Sequence, residues 1–212
     1  MKTKSTRVLS LVIAASAFSN LASGDVLFDS TATAQETHLS GNYSNGNEFT
    51  LSNPLTIYGL AYIDLEGDGL SISHEVTLWD TSDQSLIASA TVAPTDTFSN
   101  SINGQSRWYE TPIATTILPA GTYRVVGLYG DPAPDGSLDG VPTTSVPGVS
   151  LPLGYVRNEY PGGGTSYPGL DFTTQRMAAN VAIAPVTPIP EPASSSVLLA
   201  ILALGAAQRR RR

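Results

Sequence analysis

The chain has 212 residues, a formal charge of −7 and no cysteine, which removes thiolate zinc sites, cysteine nucleophiles and disulfide frameworks together. Its two histidines, His38 and His74, are far apart, and no HExxH, GxSxG or P-loop pattern occurs, so nothing points to an enzyme. Between residues 25 and 192 all 18 acidic residues meet only Arg107, Arg124, Arg157 and Arg176, with no lysine, a formal charge of −14; such a field repels phosphate backbones and excludes nucleic acid as a partner.

Lys2, Lys4 and Arg7 make a basic start, Val8 to Phe18 an uncharged apolar run, and Ser19 to Gly24 a polar, small-residue exit. That order is the layout of a secretory signal peptide. The apolar run is about 11 residues, roughly 17 Å of helix, which is too short to cross a bilayer comfortably. Ala22 and Gly24 are small residues two apart, which places cleavage by signal peptidase before Asp25 and makes residues 1–24 the leader. Residues 25–184 have the length of one compact domain.

Short runs alternate within that domain. Phe49 and Leu51 alternate in one. Leu55 to Asp64 puts Leu55, Ile57, Gly59, Ala61 and Ile63 on one face against Thr56, Tyr58, Leu60 and Tyr62. Glu75 to Asp80, Leu86 to Val92, Thr122 to Tyr129 and Met177 to Ile183 repeat the period of two, which predicts strands. Asp80-Thr81-Ser82-Asp83 predicts a hairpin turn between two of them, and Pro119-Ala120-Gly121 another turn. No helical period survives between the two ends of the chain. About eight or nine short strands in this length predict an all-β fold, an antiparallel β-sandwich.

Residues 131–169 are rich in proline and glycine and thin in apolar runs. Either they form a large loop, or they hide a short strand near Leu153-Gly154-Tyr155-Val156. Loops of this kind carry binding in some folds and are plain decoration in others.

The best chemical pattern is Asp64-Leu65-Glu66-Gly67-Asp68-Gly69 with Glu75 beyond it. Asp64, Glu66, Asp68, Gly69 and Glu75 take positions one, three, five, six and twelve of a calcium loop, where alternating oxygens and a glycine turn suit a hard cation. Glutamate at position three and strand-like flanks depart from that pattern, so an acidic turn between two strands fits as well. Calcium is the one cofactor the sequence suggests. Trp79 and Trp108, with Tyr155, Tyr160 and Tyr167 in the long segment, are candidates for sugar stacking, although aromatics more often fill cores. Trp79 falls opposite Val76 and Leu78 and is the strongest of these. Carboxylate pairs such as Asp80 and Asp83 are expected by chance among so many acids and assign no catalysis.

The chain closes with three elements. Pro190-Glu191-Pro192 cannot continue a helix. An uncharged stretch from Ala193 to Ala207 comes next, roughly 22 Å long as a helix. Gln208 and the cluster Arg209, Arg210, Arg211 and Arg212 then end the sequence. The apolar stretch is short for a bilayer of about 30 Å, but flanking serines and snorkelling arginines extend it, and the arginines would stay cytoplasmic. A plain membrane anchor would share this order. In detail, however, residues 185–212 resemble the PEP-CTERM sorting signal of Gram-negative bacteria, with Ile189 where valine often precedes the motif. The resemblance implies recognition of Pro190, Glu191 and Pro192 by exosortase, a membrane transpeptidase, in bacteria that make extracellular polysaccharide. It also implies a transmembrane helix stopped by the arginines.

The stretch from Gly59 to Gly130 carries a second likeness. Gly67-Asp68-Gly69-Leu70, His74 to Asp80, Leu86 to Val92 and Leu118-Pro119-Ala120-Gly121-Thr122-Tyr123 resemble a β-sandwich domain of unknown function that recurs in secreted bacterial proteins. This likeness implies fold and setting and brings no active site. The expectation is therefore an exported, non-catalytic surface or matrix protein associated with exopolysaccharide or biofilm. A carbohydrate-binding module and a calcium-dependent adhesin-like domain are the alternatives.

Overall fold

The computed structural model describes residues 25–36, 43–129, 135–151, 155–159, 167–168, 170–172 and 176–183. The expected leader, the Pro190-Glu191-Pro192 motif, the apolar stretch after it and the arginine cluster lie outside the described residues. Within them the chain is all-β and antiparallel, with no helix.

Three sheets are formed. The first runs β1 (Asp25–Val26), β15 (Ala179–Ile183), β4 (Leu55–Asp64), β8 (Arg107–Leu118) and β7 (Thr97–Asn100) in spatial order. The second runs β13 (Leu170–Phe172), β12 (Tyr155–Glu159), β3 (Tyr43–Leu51), β9 (Gly121–Leu128), β5 (His74–Asp80) and β6 (Leu86–Val92), with β11 (Val149–Ser150) also on β3. A small third sheet joins β14 (Arg176–Met177), β10 (Ser137–Asp139) and β2 (Ala34–Glu36). Residues of both large sheets share one buried cluster: Leu60, Tyr62 and Tyr109 from the first meet Phe49, Val76, Leu78, Tyr123 and Val125 from the second.

The alternating runs predicted from sequence are strands at the expected places, and Leu86 to Val92 matches β6 at both ends. The Asp80–Asp83 turn joins β5 to β6, with Asp80 Oδ1 accepting the Ser82 amide at 2.7 Å and Asp80 N donating to Ser85 O. Side-chain acceptance of an amide two residues on is what makes aspartate a turn residue.

Three features differ from expectation. First, β4 does not divide into a dry and a wet face: every residue from Gly59 to Asp64 is buried. It lies inside its sheet between β15 and β8. Tyr62 faces the second sheet and stacks on His74, ring centroids 3.7 Å apart. On the opposite face Asn180, level with Ala61, donates to the Phe28 carbonyl of the crossing Leu27–Ser30 segment. Second, β8 was not legible in the sequence. Pro112 interrupts it, and the pairing with β4 jumps there from Ile57–Thr116 to Gly59–Pro112. A proline is tolerated in a strand where a bulge frees its missing N–H from the ladder. Third, residues 131–169 are not a structureless excursion. The strand suspected near Tyr155 and Val156 is β12, and β10 and β11 precede it. The segment is further tied down where Asp29 and Thr143 exchange backbone hydrogen bonds of 2.9 and 2.7 Å.

Gly127 on β9 is required by packing. A Cβ there would stand 2.6 Å from Tyr62 Cε2 and 3.2 Å from Ala179 Cβ, and Tyr62, fully buried against His74, has nowhere to retreat. Gly127→Ala is expected to cost about 1–3 kcal/mol, as overpacking of a filled core does. Urea denaturation monitored by tryptophan fluorescence checks it.

Candidate functional site

The acidic loop forms a turn closed on itself. Asp64, buried at the end of β4, accepts the Gly67 amide on Oδ1 and the Gly69 amide on Oδ2, each at 2.9 Å. Gly67 and Gly69 have φ of 71° and 116°, values that glycine tolerates without strain. Backbone N–H groups thus take the positions on Asp64 that a cation would compete for. Glu66 and Asp68 are exposed. Glu75 does not join them: it comes directly after His74, whose ring points into the core, so alternation turns Glu75 to the other face of β5. Beside Asp64, Glu66 and Asp68 stands Asp135 instead, in a hollow of about 40 Å³. Among the described residues no group of three or more histidine or acidic side chains is spaced to hold a metal ion. Of the predicted set, Asp64, Glu66 and Asp68 thus line one hollow with Asp135, and strand alternation sets Glu75 apart from them.

Asp135 does something the sequence did not disclose. Its carboxylate accepts the Ser71 amide at 3.0 Å and the Ile72 amide at 3.2 Å, and His74 Nε2 lies 2.9 Å from Oδ2. The other ring nitrogen, Nδ1, is 2.9 Å from the Leu128 carbonyl. A carbonyl oxygen only accepts, so Nδ1 carries a proton; Nε2 faces a carboxylate and needs one too. The geometry suits a buried imidazolium–carboxylate pair. Burial pushes the Asp135 carboxyl up, but the His74 hydrogen bond, the Ser71 and Ile72 amides and the imidazolium charge outweigh it and hold the group below the usual carboxylate range. The signal missed in the sequence was a lone aspartate 61 residues from its histidine.

Both tryptophans are buried. Trp79 is 5% exposed. It lies on the outer face of the second sheet, opposite Val76 and Leu78 as predicted, but Tyr167 covers it edge-on at 6.1 Å and its Nε1 donates to Thr77 Oγ1 at 2.9 Å. Arg124, paired to Glu48 at 2.9 Å, lies over the Tyr167 ring. The long segment that was expected to offer aromatic rings spends one of them here as a cover. Trp108 is fully buried in β8. Trp79, the predicted sugar contact, thus sits beneath Tyr167 with little of its surface open to solvent.

A wider cleft, about 380 Å³, opens between the two edges of the first sheet. One wall is the Asp25–Asp29 segment with Thr143, Thr144 and Ser145, and the other is Ser99, Asn100 and Ile102. Asp29 sets its shape. The carboxylate accepts Ser101 Oγ at 2.6 Å, Ser30 N at 2.8 Å and Ile102 N at 2.8 Å, which ties the N-terminal segment to the β7–β8 hairpin. The volume falls within the range of small-molecule sites, about 300–1,000 Å³. Nothing in the sequence marked these residues, because they come from three separated stretches.

Comparison of the chain with family models, with curated proteins and with solved structures finds no match.

Proposed function

We propose that this chain is an exported, non-catalytic surface or extracellular-matrix protein, delivered by its leader and sorted by a PEP-CTERM tail through exosortase. The observation that carries the reading is the tail itself: Pro190-Glu191-Pro192, an uncharged apolar stretch and Arg209–Arg212 stand in that order at the end of a chain that starts with a basic, apolar, small-residue leader. In this reading residues 25–184 are the displayed domain, an antiparallel β-sandwich. Two large antiparallel sheets sharing one core support that finer description. A cysteine-free domain that relies on its core suits an exported setting, and a charge of −14 between residues 25 and 192 suits solubility in a hydrated polymer. The buried carboxylates Asp29, Asp64 and Asp135 each hold backbone amides, a structural use that favours a non-catalytic domain. Association with extracellular polysaccharide is inferred from the sorting route and not from a platform on Trp79.

Mass spectrometry of the protein from its own host, with both mature ends read in membrane and extracellular fractions, tests the reading. The expected result is an N-terminus at Asp25 and a C-terminus at or near Pro190-Glu191-Pro192, with the C-terminal cut lost in Glu191→Ala. A membrane-bound chain that keeps Arg212 would mean a plain anchor and end the sorting proposal.

A further inference from the structure

Asparagine is followed by glycine twice in the chain, at Asn45-Gly46 and Asn103-Gly104. Such a pair is the least hindered for attack of a backbone nitrogen on the preceding carboxamide, because glycine has no side chain to keep the two apart. The fold treats the two pairs differently. Asn45 and Gly46 lie in β3, between β9 on one side and β12 on the other. Asn45 is fully buried, and Gly46 packs so closely on β9 that a Cβ there would run into the Val125 carbonyl. Freeing this pair means taking apart the middle of the second sheet. Asn103 and Gly104 stand instead at the tip of the β7–β8 hairpin. Gly104 is exposed, with φ of 72° and nothing within 4 Å of a Cβ built on it. The tip is closed by Ser101 N donating to Ser106 O at 2.9 Å and Gly104 N to Ser101 O at 3.0 Å. Freeing this pair means opening one turn, and an exposed turn opens at far lower cost than a core strand.

Asn103 also works as a clasp. Its Oδ1 accepts the Gln105 and Ser106 amides at 2.8 and 2.9 Å, and its Nδ2 donates to Ser106 Oγ and to the Ala32 carbonyl, each at 3.0 Å. Ser106 Oγ gives its own proton to Leu65 O at 2.9 Å, so it offers Asn103 only a lone pair. Both contacts of Nδ2 therefore need a donor at that position.

We propose that Asn103 is a deamidation site, and that loss of its amide nitrogen releases the Ser30–Ala32 stretch from the hairpin. In the opened turn the Gly104 nitrogen attacks Asn103 Cγ. The N–Cγ bond forms, the Cγ–Nδ2 bond breaks, and the Gly104 proton passes through solvent to the departing ammonia. Water then opens the succinimide at one carbonyl or the other, giving aspartate or isoaspartate. Aspartate sets a carboxylate oxygen where Nδ2 stood, against the Ala32 carbonyl and the Ser106 lone pair, so acceptors meet acceptors. Isoaspartate lengthens the main chain of the turn by one carbon and draws the side chain away from the same partners. This chemistry is independent of how the chain is exported or sorted.

Peptide mapping by mass spectrometry, on the full-length chain held in detergent micelles at mildly alkaline pH, tests the site. Asn103 should be the first asparagine to convert while Asn45 stays an amide, and in denaturant the two should convert alike. Another asparagine converting first in the folded chain, equal folded-state rates at Asn45 and Asn103, or a difference that persists in denaturant would each overturn the proposal. Hydrogen exchange tests the release. In Asn103→Asp the amides of the Ser30–Ala32 stretch should exchange about tenfold faster than in the wild type, the scale of one lost hydrogen bond. Asn100→Asp, which adds the same charge at an exposed position of β7, should exchange there as the wild type does. Unchanged exchange in Asn103→Asp, or an equal rise in Asn100→Asp, would overturn the clasp.

Discussion

His74→Ala is expected to destabilise the domain by about 3–5 kcal/mol, the range for breaking a buried ion pair from one side. The substitution leaves the Asp135 carboxylate in a buried site with only the Ser71 and Ile72 amides to hold it. It removes the ring stacked on Tyr62 and orphans the Leu128 carbonyl as well. Asp135→Asn should cost less, because an amide oxygen still accepts from Ser71 and Ile72. Acid should act on the same pair. The Asp135 carboxyl is held below its ordinary value in the folded protein, so its contribution is fully present above the unfolded value of about 3.9. That contribution fades as pH falls through the lower, folded value. Chemical denaturation of the wild type and Asp135→Asn between pH 7 and pH 2 reads this out. The wild type should lose stability toward acid more steeply than Asp135→Asn. Parallel curves would show that the pair contributes nothing to acid sensitivity.

Trp108→Ala should cost a similar amount, about 3–5 kcal/mol, as large-to-small changes of a buried tryptophan do. Trp108 is fully buried and opposite Ile63, between Tyr109 and Arg107 on the longest strand. Its Nε1 has no hydrogen-bond partner among the described residues, so the indole contributes through volume and contact. Trp108→Phe keeps most of that contact and deletes an unpaired buried donor, a group that is costly to bury. It should therefore recover much of the loss. Thermal unfolding of the two variants distinguishes this core role from a surface one: a solvent-facing indole would make both substitutions nearly neutral.

Buried carboxylates serve as fasteners elsewhere in the domain too. The His74–Asp135 pair fastens the start of the 135–139 stretch to β5, and Asp29 fastens the N-terminal segment to the β7–β8 hairpin. Both are carboxylates that organise backbone. A strongly acidic composition can therefore reflect how loops are held as well as what they meet. Asp64 in the glycine turn makes the same point.

By itself the sequence determined the class of the fold and, β8 apart, its longer strands, because a period of two in β-branched and aromatic residues has few other solutions. It placed β6 residue for residue, located the Asp80–Asp83 turn, and put Trp79 on the face away from Val76 and Leu78. It also carries, in the two ends of the chain, the whole case for export and sorting. Tertiary structure decided the rest. Packing on both sides buried both faces of β4 from Gly59 onward, and a proline at a bulge disguised β8, since neither depends on local pattern alone. Within the long proline- and glycine-rich stretch, β10, β11 and β12 form because partners far away in sequence, β2 and β3, supply their hydrogen bonds. The cleft and the His74–Asp135 pair join residues separated by 61 positions or more. Such pairings have no period to read, and only the path of the chain through the sheets brings their groups within bonding distance.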